Sequence, residues 1–180
     1  LPEGLLHDLA KEHGLTPGDL ARDKSLYPIQ RIRKASDILL DTTVDAERIV
    51  NMLRAKLPAQ RYWAAHACLY LGEEVIHKHL EALNSLLKDP SRSVQIAAAE
   101  ALATYPAGAK GGKEALEVLL ANADPTKSSA YHAVAALNAL DHQPQKVLEP
   151  YKQRITKLPT NDPDAPGRPG SIRIVCGQFG

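Results

Sequence analysis

Residues 89–105 read Asp89-Pro90-Ser91-Arg92-Ser93-Val94-Gln95-Ile96-Ala97-Ala98-Ala99-Glu100-Ala101-Leu102-Ala103-Thr104-Tyr105. The stretch predicts a turn followed by a helix with small residues on its packing face. Pro90 suits a first helical turn, where a missing amide proton leaves no intrahelical acceptor unpaired. Asp89 or Ser91 is placed to cap the free amides. Val94, Ile96, Ala98, Ala101 and Leu102 include the i, i+4 and i+7 or i+8 spacings of an apolar stripe. The alanines allow a second helix to approach closely, so the helix is suited to stacking.

The pattern recurs. Leu57-Pro58 leads into Ala64-Ala65-His66-Ala67-Cys68-Leu69, and Asp124-Pro125 leads into His132-Ala133-Val134-Ala135-Ala136-Leu137. The closing leucines Leu69, Leu102 and Leu137 step by 33 and 35 residues, and Pro58, Pro90 and Pro125 by 32 and 35. Between them Leu53, Leu86 and Leu119 recur every 33 residues and mark a second helix in each unit. Two helices per period of this size is the signature of an α-solenoid. The motif resembles HEAT repeats, in which an Asp-Pro turn precedes a Val-Arg-x-Ala-Ala-Ala-x-Ala-Leu helix. Gln95 stands where that pattern has Arg. Ankyrin repeats share the period, but their Thr-Pro-Leu-His signature is missing.

Composition agrees with helix stacking. The chain has 180 residues, 44% of them hydrophobic but only 4% aromatic, so its core must be aliphatic. Basic residues number 22 and acidic residues 21, interleaved along the chain. That balance argues against nucleic acid as the main partner. No apolar run approaches the ~18 residues of a membrane span, and residues 1–20 lack the basic-plus-apolar pattern expected of a signal peptide. Cys68 falls in a repeat helix and Cys176 near the end, which is no disulfide framework.

In chain order, residues 1–14 predict a short helix with a Leu5, Leu6, Leu9 stripe and Gly14 as its C-cap. Thr16-Pro17-Gly18-Asp19 is a turn capping a segment through Arg22. Pro28 opens a helix to about Leu40 that turns Ile29, Ile32, Ile38 and Leu39 inward. Asp41-Thr42-Thr43 caps a helix from Val44 to about Lys56, and Pro58 starts one ending near Gly72. Glu73 to Leu87 reads as one helix, Pro106 to Gly112 as a loop, and Lys113 to Ala121 as a helix. The helix after Asp124-Pro125 ends near Asp141. Pro150 should kink a last helix over 144–158 or leave two short turns. The expected architecture is all-α: a right-handed superhelix of about four helix pairs over residues 1–158, with clear repeats from about residue 42. Residues 159–180 form a Pro- and Gly-rich irregular tail, in which only Ser171 to Val175 alternates like a strand.

The N-terminal third carries a second resemblance. Ala21-Arg22-Asp23, then Tyr27-Pro28-Ile29-Gln30-Arg31-Ile32, then Arg61-Tyr62-Trp63-Ala64-Ala65 is similar to the C-terminal extension of bacterial sulfatases. In these, HEAT-like repeats follow a formylglycine-dependent catalytic domain. The similarity spans roughly Leu5 to Leu140. It implies an accessory domain, partnered by a protein or an adjacent catalytic domain, in a periplasmic or extracellular setting. The catalytic motif, Cys or Ser followed by x-Pro-Ser/Ala-Arg, does not occur, nor does an adjacent Asp-Asp pair. By this resemblance the chain itself is not an enzyme and takes no cofactor; the alternative is a stand-alone scaffold, or a nucleic-acid-binding or -modifying protein, on the same HEAT-like fold.

The residues bear out no stronger chemistry. His66 with Cys68, and His77 with His79, invite a zinc reading, but residues two apart on a helix lie ~200° around its axis and cannot share a metal. Exposed histidines and a buried thiol are the simpler account. No His-Glu dipeptide occurs to suggest the iron ligands of HEAT-like hydroxylases. Arg22, Lys24, Arg31, Arg33 and Lys34 form the densest basic run, which a solvated helix face explains better than a nucleic-acid site. Arg61, Tyr62 and Trp63 open the first clear repeat helix. They read either as a partner-facing cluster, since these residue types anchor interfaces, or as Trp63 closing the solenoid core. With Arg31 and Arg33 they are the candidate interaction surface.

Overall fold

The computed structural model describes residues 3–40, 46–105 and 109–158. Among these residues every regular element is helical. Helix α1 spans Glu3–Glu12, α2 Pro17–Arg22, α3 Ile29–Ser36 and α4 Ala46–Leu53. Helix α5 spans Pro58–Leu71, α6 Glu73–Lys78, α7 Leu80–Leu86 and α8 Arg92–Thr104. Helix α9 spans Ala109–Ala123 and α10 Ala130–Asp141, and the short turns α11 (Gln145–Leu148) and α12 (Lys152–Ile155) follow.

Two layers of helices form the repeat. Helix α5 packs on α8 and α8 on α10, while α4, α7 and α9 back them from a second layer. This is the arrangement of an α-solenoid, in which each unit covers its neighbour's apolar face. Helix α8 is at the centre: nine of its 13 residues are buried, including Val94, Ile96, Ala98, Ala101 and Leu102. Its contacts run to α5, α7, α9 and α10 at once, so it is enclosed on nearly all sides rather than along one stripe. Alanine is what permits that, because four neighbours cannot crowd around bulky side chains.

The caps follow local chemistry with one shift. Helix α8 begins at Arg92, so Pro90 precedes the helix instead of opening it, whereas Pro58 does sit in the first turn of α5. Ser91 holds the N-cap backbone position but makes no capping bond, and its Oγ is buried without a partner. The Asp89 carboxylate takes the Ser91 N–H at 2.8 Å. Thr16 caps α2 and Ser129 caps α10 through their hydroxyls. Gly14 and Gly72 stop α1 and α5 at φ +65° and +93°, a region that only glycine enters without strain.

Three expectations need correction. The single helix over 73–87 is broken at His79, whose φ of −111° and ψ of 16° leave the helical region and place the ring in the interior. The loop expected through Gly112 is helical from Ala109 onward. Gly112 is buried on a helix that packs against the alanine-rich α8, and that packing outweighs glycine's poor helix propensity. The helix from Pro28 stops at Ser36 and finishes as a 3-10 turn over Asp37–Leu39. Pro150 sits in a 3-10 turn between α11 and α12, which matches the expected interruption. The Asp41-Thr42-Thr43 cap and the whole of 159–180, with its strand-like run, lie outside the described residues.

The N-terminal segment forms its own cluster. Ala10, Leu20, Tyr27, Ile32 and Ala59 are buried together, so α1 to α3 seat on the start of α5. Helix α1 also reaches across to α8 and α10.

Candidate functional site

A groove of about 350 Å3 runs over three successive helices of one layer. Helix α5 contributes Tyr62 and His66, α8 Ile96 and Glu100, and α10 Asn138 with its C-cap residue His142. They share this face because each sits one or two helical turns from the next on its own helix, while the 33–35-residue repeat brings the helices side by side.

Several of its polar groups are paired with one another. The Glu100 side chain is only 12% exposed and lies 2.9 Å from His142 Nδ1. Tyr62 meets the His66 ring at 4.4 Å and the Trp63 ring at 5.1 Å, both edge-on. Burial pushes the Tyr62 hydroxyl up to about 12, with the Glu100 charge adding to it. Burial lowers the His66 ring below its ordinary value and Glu100 opposes this, so the wall presents a neutral imidazole near pH 7.

Beyond the groove's end, α1 and α10 enclose a larger cavity of about 670 Å3. There His132 has Ser129 Oγ 2.7 Å from Nδ1, with Ser93 Oγ at 3.3 Å and Asp8 at 3.7 Å from Nε2. This brings together a serine, a histidine and an aspartate, with Ser129 engaged as the N-cap of α10. Ser129 Oγ also accepts the His132 N–H and caps α10. Both the His132 backbone N–H and its Nδ1 thus meet the same Ser129 hydroxyl, which ties the ring to the N-cap side chain of α10. The His7 and Tyr131 rings, 5.1 Å apart, hold α1 against α10 beside it.

The candidate surface residues have different fates. Arg61 is turned inward: Nε and Nη2 donate to Asp89 at 2.6 and 2.9 Å, and Nη1 donates to the Ala55 and Lys56 carbonyls. Its side chain is 11% exposed, so the guanidinium joins α5 to the next repeat's turn. Trp63 packs half-buried against the core, its Nε1 without a partner. Tyr62 alone of the three lines the groove. Arg31 and Arg33 are exposed on α3, away from it. Cys68 is fully buried and its thiol is pushed up to about 12 by that burial. Among the described residues no three metal-ligating side chains converge, and no helix is long and apolar enough to cross a membrane.

Glu100, Asn138 and His142 were not singled out in the sequence. Glu100 interrupts an alanine run, the one signal that pointed to it.

A family model for HEAT repeats matches residues 46–148, more than half of the chain and the span from α4 through α11. The chain belongs to the HEAT-repeat family. No curated protein and no solved structure shows a match to it. The Arg61–Asp89 clamp links α5 to the turn before α8 in the next repeat. At the next HEAT junction Gln95 replaces the arginine and bonds the Asp89 carbonyl at 2.6 Å, while Asp124 turns to Thr126 and Lys127.

Proposed function

We propose that this HEAT-repeat chain is a non-catalytic interaction scaffold that holds a polypeptide along the α5–α8–α10 face. The observation carrying this reading is the groove spanning three repeats, with exposed Ala135 and Asn138 beside fixed polar groups at Glu100, His66 and His142. Solenoids use such extended faces for polypeptides. The Glu100 carboxylate in the wall disfavours a polyanion such as nucleic acid. A photo-crosslinking residue at Asn138 tests it in the cells that make the protein. It should capture one discrete polypeptide that the same residue at exposed Lys113, on α9, does not. Equal capture from both positions contradicts the reading.

A narrower version makes the partner an adjacent sulfatase-like catalytic domain. Its support is the resemblance over residues 21–32 and 61–65, part of which, Tyr27 and Ile32, is buried in the N-terminal cluster. The coding sequence upstream of Leu1 tests it. A continuous frame with Cys or Ser followed by x-Pro-Ser/Ala-Arg supports that partner, and a start codon next to Leu1 removes it.

A further inference from the structure

Helices α3 and α4 both pack on α5. Where the three meet there is a cleft of about 590 Å3, separate from the groove described above. Arg31 and Lys34 stand on one face of α3 at i and i+3, and α4 presents Arg48. Buried Ala35 and Met52 line the cleft as well. Among the described lining residues, three basic side chains, of which Arg48 has an interaction of its own, surround an apolar floor with one carboxylate, Glu47. Arg31 and Lys34 are exposed, and neither has an ion-pair partner among the described residues.

We propose that this cleft docks an acidic segment of a protein partner, seating an apolar side chain on Ala35 and Met52 and its carboxylates on Arg31 and Lys34. The chemistry favours a peptide over a single-stranded nucleic acid. Nucleic-acid grooves interleave aromatic rings with cations so that bases stack, and among the described residues no aromatic side chain lines this cleft. Methionine adapts its shape to varied apolar partners. The amides of Asn51 and Gln60 complete the walls with groups able to bond a peptide backbone. With a net charge of only +1, the chain as a whole attracts anions weakly, so any strong attraction must be local. The proposal stands apart from the groove and does not depend on it.

The test uses the full chain and a fluorescein-labelled peptide, Glu-Glu-Leu-Glu-Glu-Leu-Glu-Glu, followed by anisotropy at low ionic strength, where the screening length is about 30 Å. The comparison ligands are the same peptide with Ser for Leu and a ten-residue thymidine oligonucleotide. The R31E/K34E pair should weaken peptide binding about tenfold or more. The K24E/K88E pair makes the same charge change at exposed positions outside the cleft and should cost about twofold or less. The Ser peptide should bind more weakly than the Leu peptide. All variants are checked for an unchanged unfolding midpoint. If R31E/K34E shifts it, the neutral pair R31Q/K34Q replaces it with the same expected order. Equal loss from both charge-reversed pairs, no binding by wild type, or tighter binding of the oligonucleotide would each overturn the proposal.

Discussion

Arg61 and Asp89 form a two-bond clamp with Nε–Oδ2 at 2.6 Å and Nη2–Oδ1 at 2.9 Å, the side chains 11% and 4% exposed. It joins helix α5 to the turn before α8, so it fixes how the first clear repeat sits on the second. Removing one partner leaves a charge buried without its counter-ion. Arg61→Ala or Asp89→Ala should each lower unfolding free energy by about 3–5 kcal/mol in urea titrations. The double variant Arg61→Leu with Asp89→Leu should lose less than the two single losses added, because neither charge is orphaned. Strict additivity would show that the pair does not act as a unit.

Leu102 is 1% exposed at the interior of α8, where four helices meet. Leu102→Ala should cost about 2–5 kcal/mol. Tyr70→Ala, at an 83%-exposed position on α5, should stay within about 0.5 kcal/mol. Similar losses at both sites would refute the stacking register.

How far the sequence foretold this structure depends on the kind of contact involved. The α8 stack was legible because alanines, leucines and Asp-Pro turns repeat at a near-constant spacing. Where nothing repeats, the reading failed. Glu73 to Leu87 holds no glycine or proline, so the break at His79 is imposed by packing. The crossing of α1 onto α8 and α10 depends on Asp8, His7, Tyr131 and His132, which share no periodicity. Adjacent residues can also part company: Arg61 clamps a turn, Tyr62 lines the groove and Trp63 fills the core. Helical rotation of about 100° per residue separates them, and only their neighbours decide which direction is solvent. Glu100 was in view from the start as part of the organising helix, but its role needed His142 from a repeat 42 residues away.

Acid should weaken the fold in a defined window. His66, His79 and His132 all titrate below their ordinary 6.5, chiefly because burial disfavours the charged ring. Asp8 opposes the shift at His132 while Arg92 and His7 reinforce it, Lys78 reinforces it at His79, and Glu100 opposes it at His66. The unfolded chain therefore takes up these protons first. Their contribution is complete above 6.5 and is lost as pH falls from there toward the folded values. The urea midpoint should drop between about pH 7.5 and about pH 5.5, and His79→Leu should make that drop smaller. The lowered carboxyls of Asp23, Glu117 and Asp124 act in the same sense only below their ordinary 3.8 to 4.5. A midpoint that rises toward acid would contradict the assignment.

Cys68 should be chemically silent while the protein is folded. Its thiol is fully buried and pushed up to about 12, so almost no thiolate exists near pH 8. In a Cys176→Ser background, a thiol-reactive dye should label the native protein far more slowly than the urea-unfolded chain. Equal rates would mean that the α5–α8 interface opens freely.

The scaffold reading rests on one face, so the most direct measurement is affinity at that face. With the polypeptide captured at Asn138 in hand, its dissociation constant is measured for wild type, Ala135→Arg and Lys113→Glu. Ala135 is exposed and lines the groove, so arginine fills the groove without disturbing the core. The account predicts that Ala135→Arg weakens binding about tenfold or more while Lys113→Glu changes it by about twofold or less. Unchanged affinity in a folded Ala135→Arg protein would contradict it and move the partner to another surface.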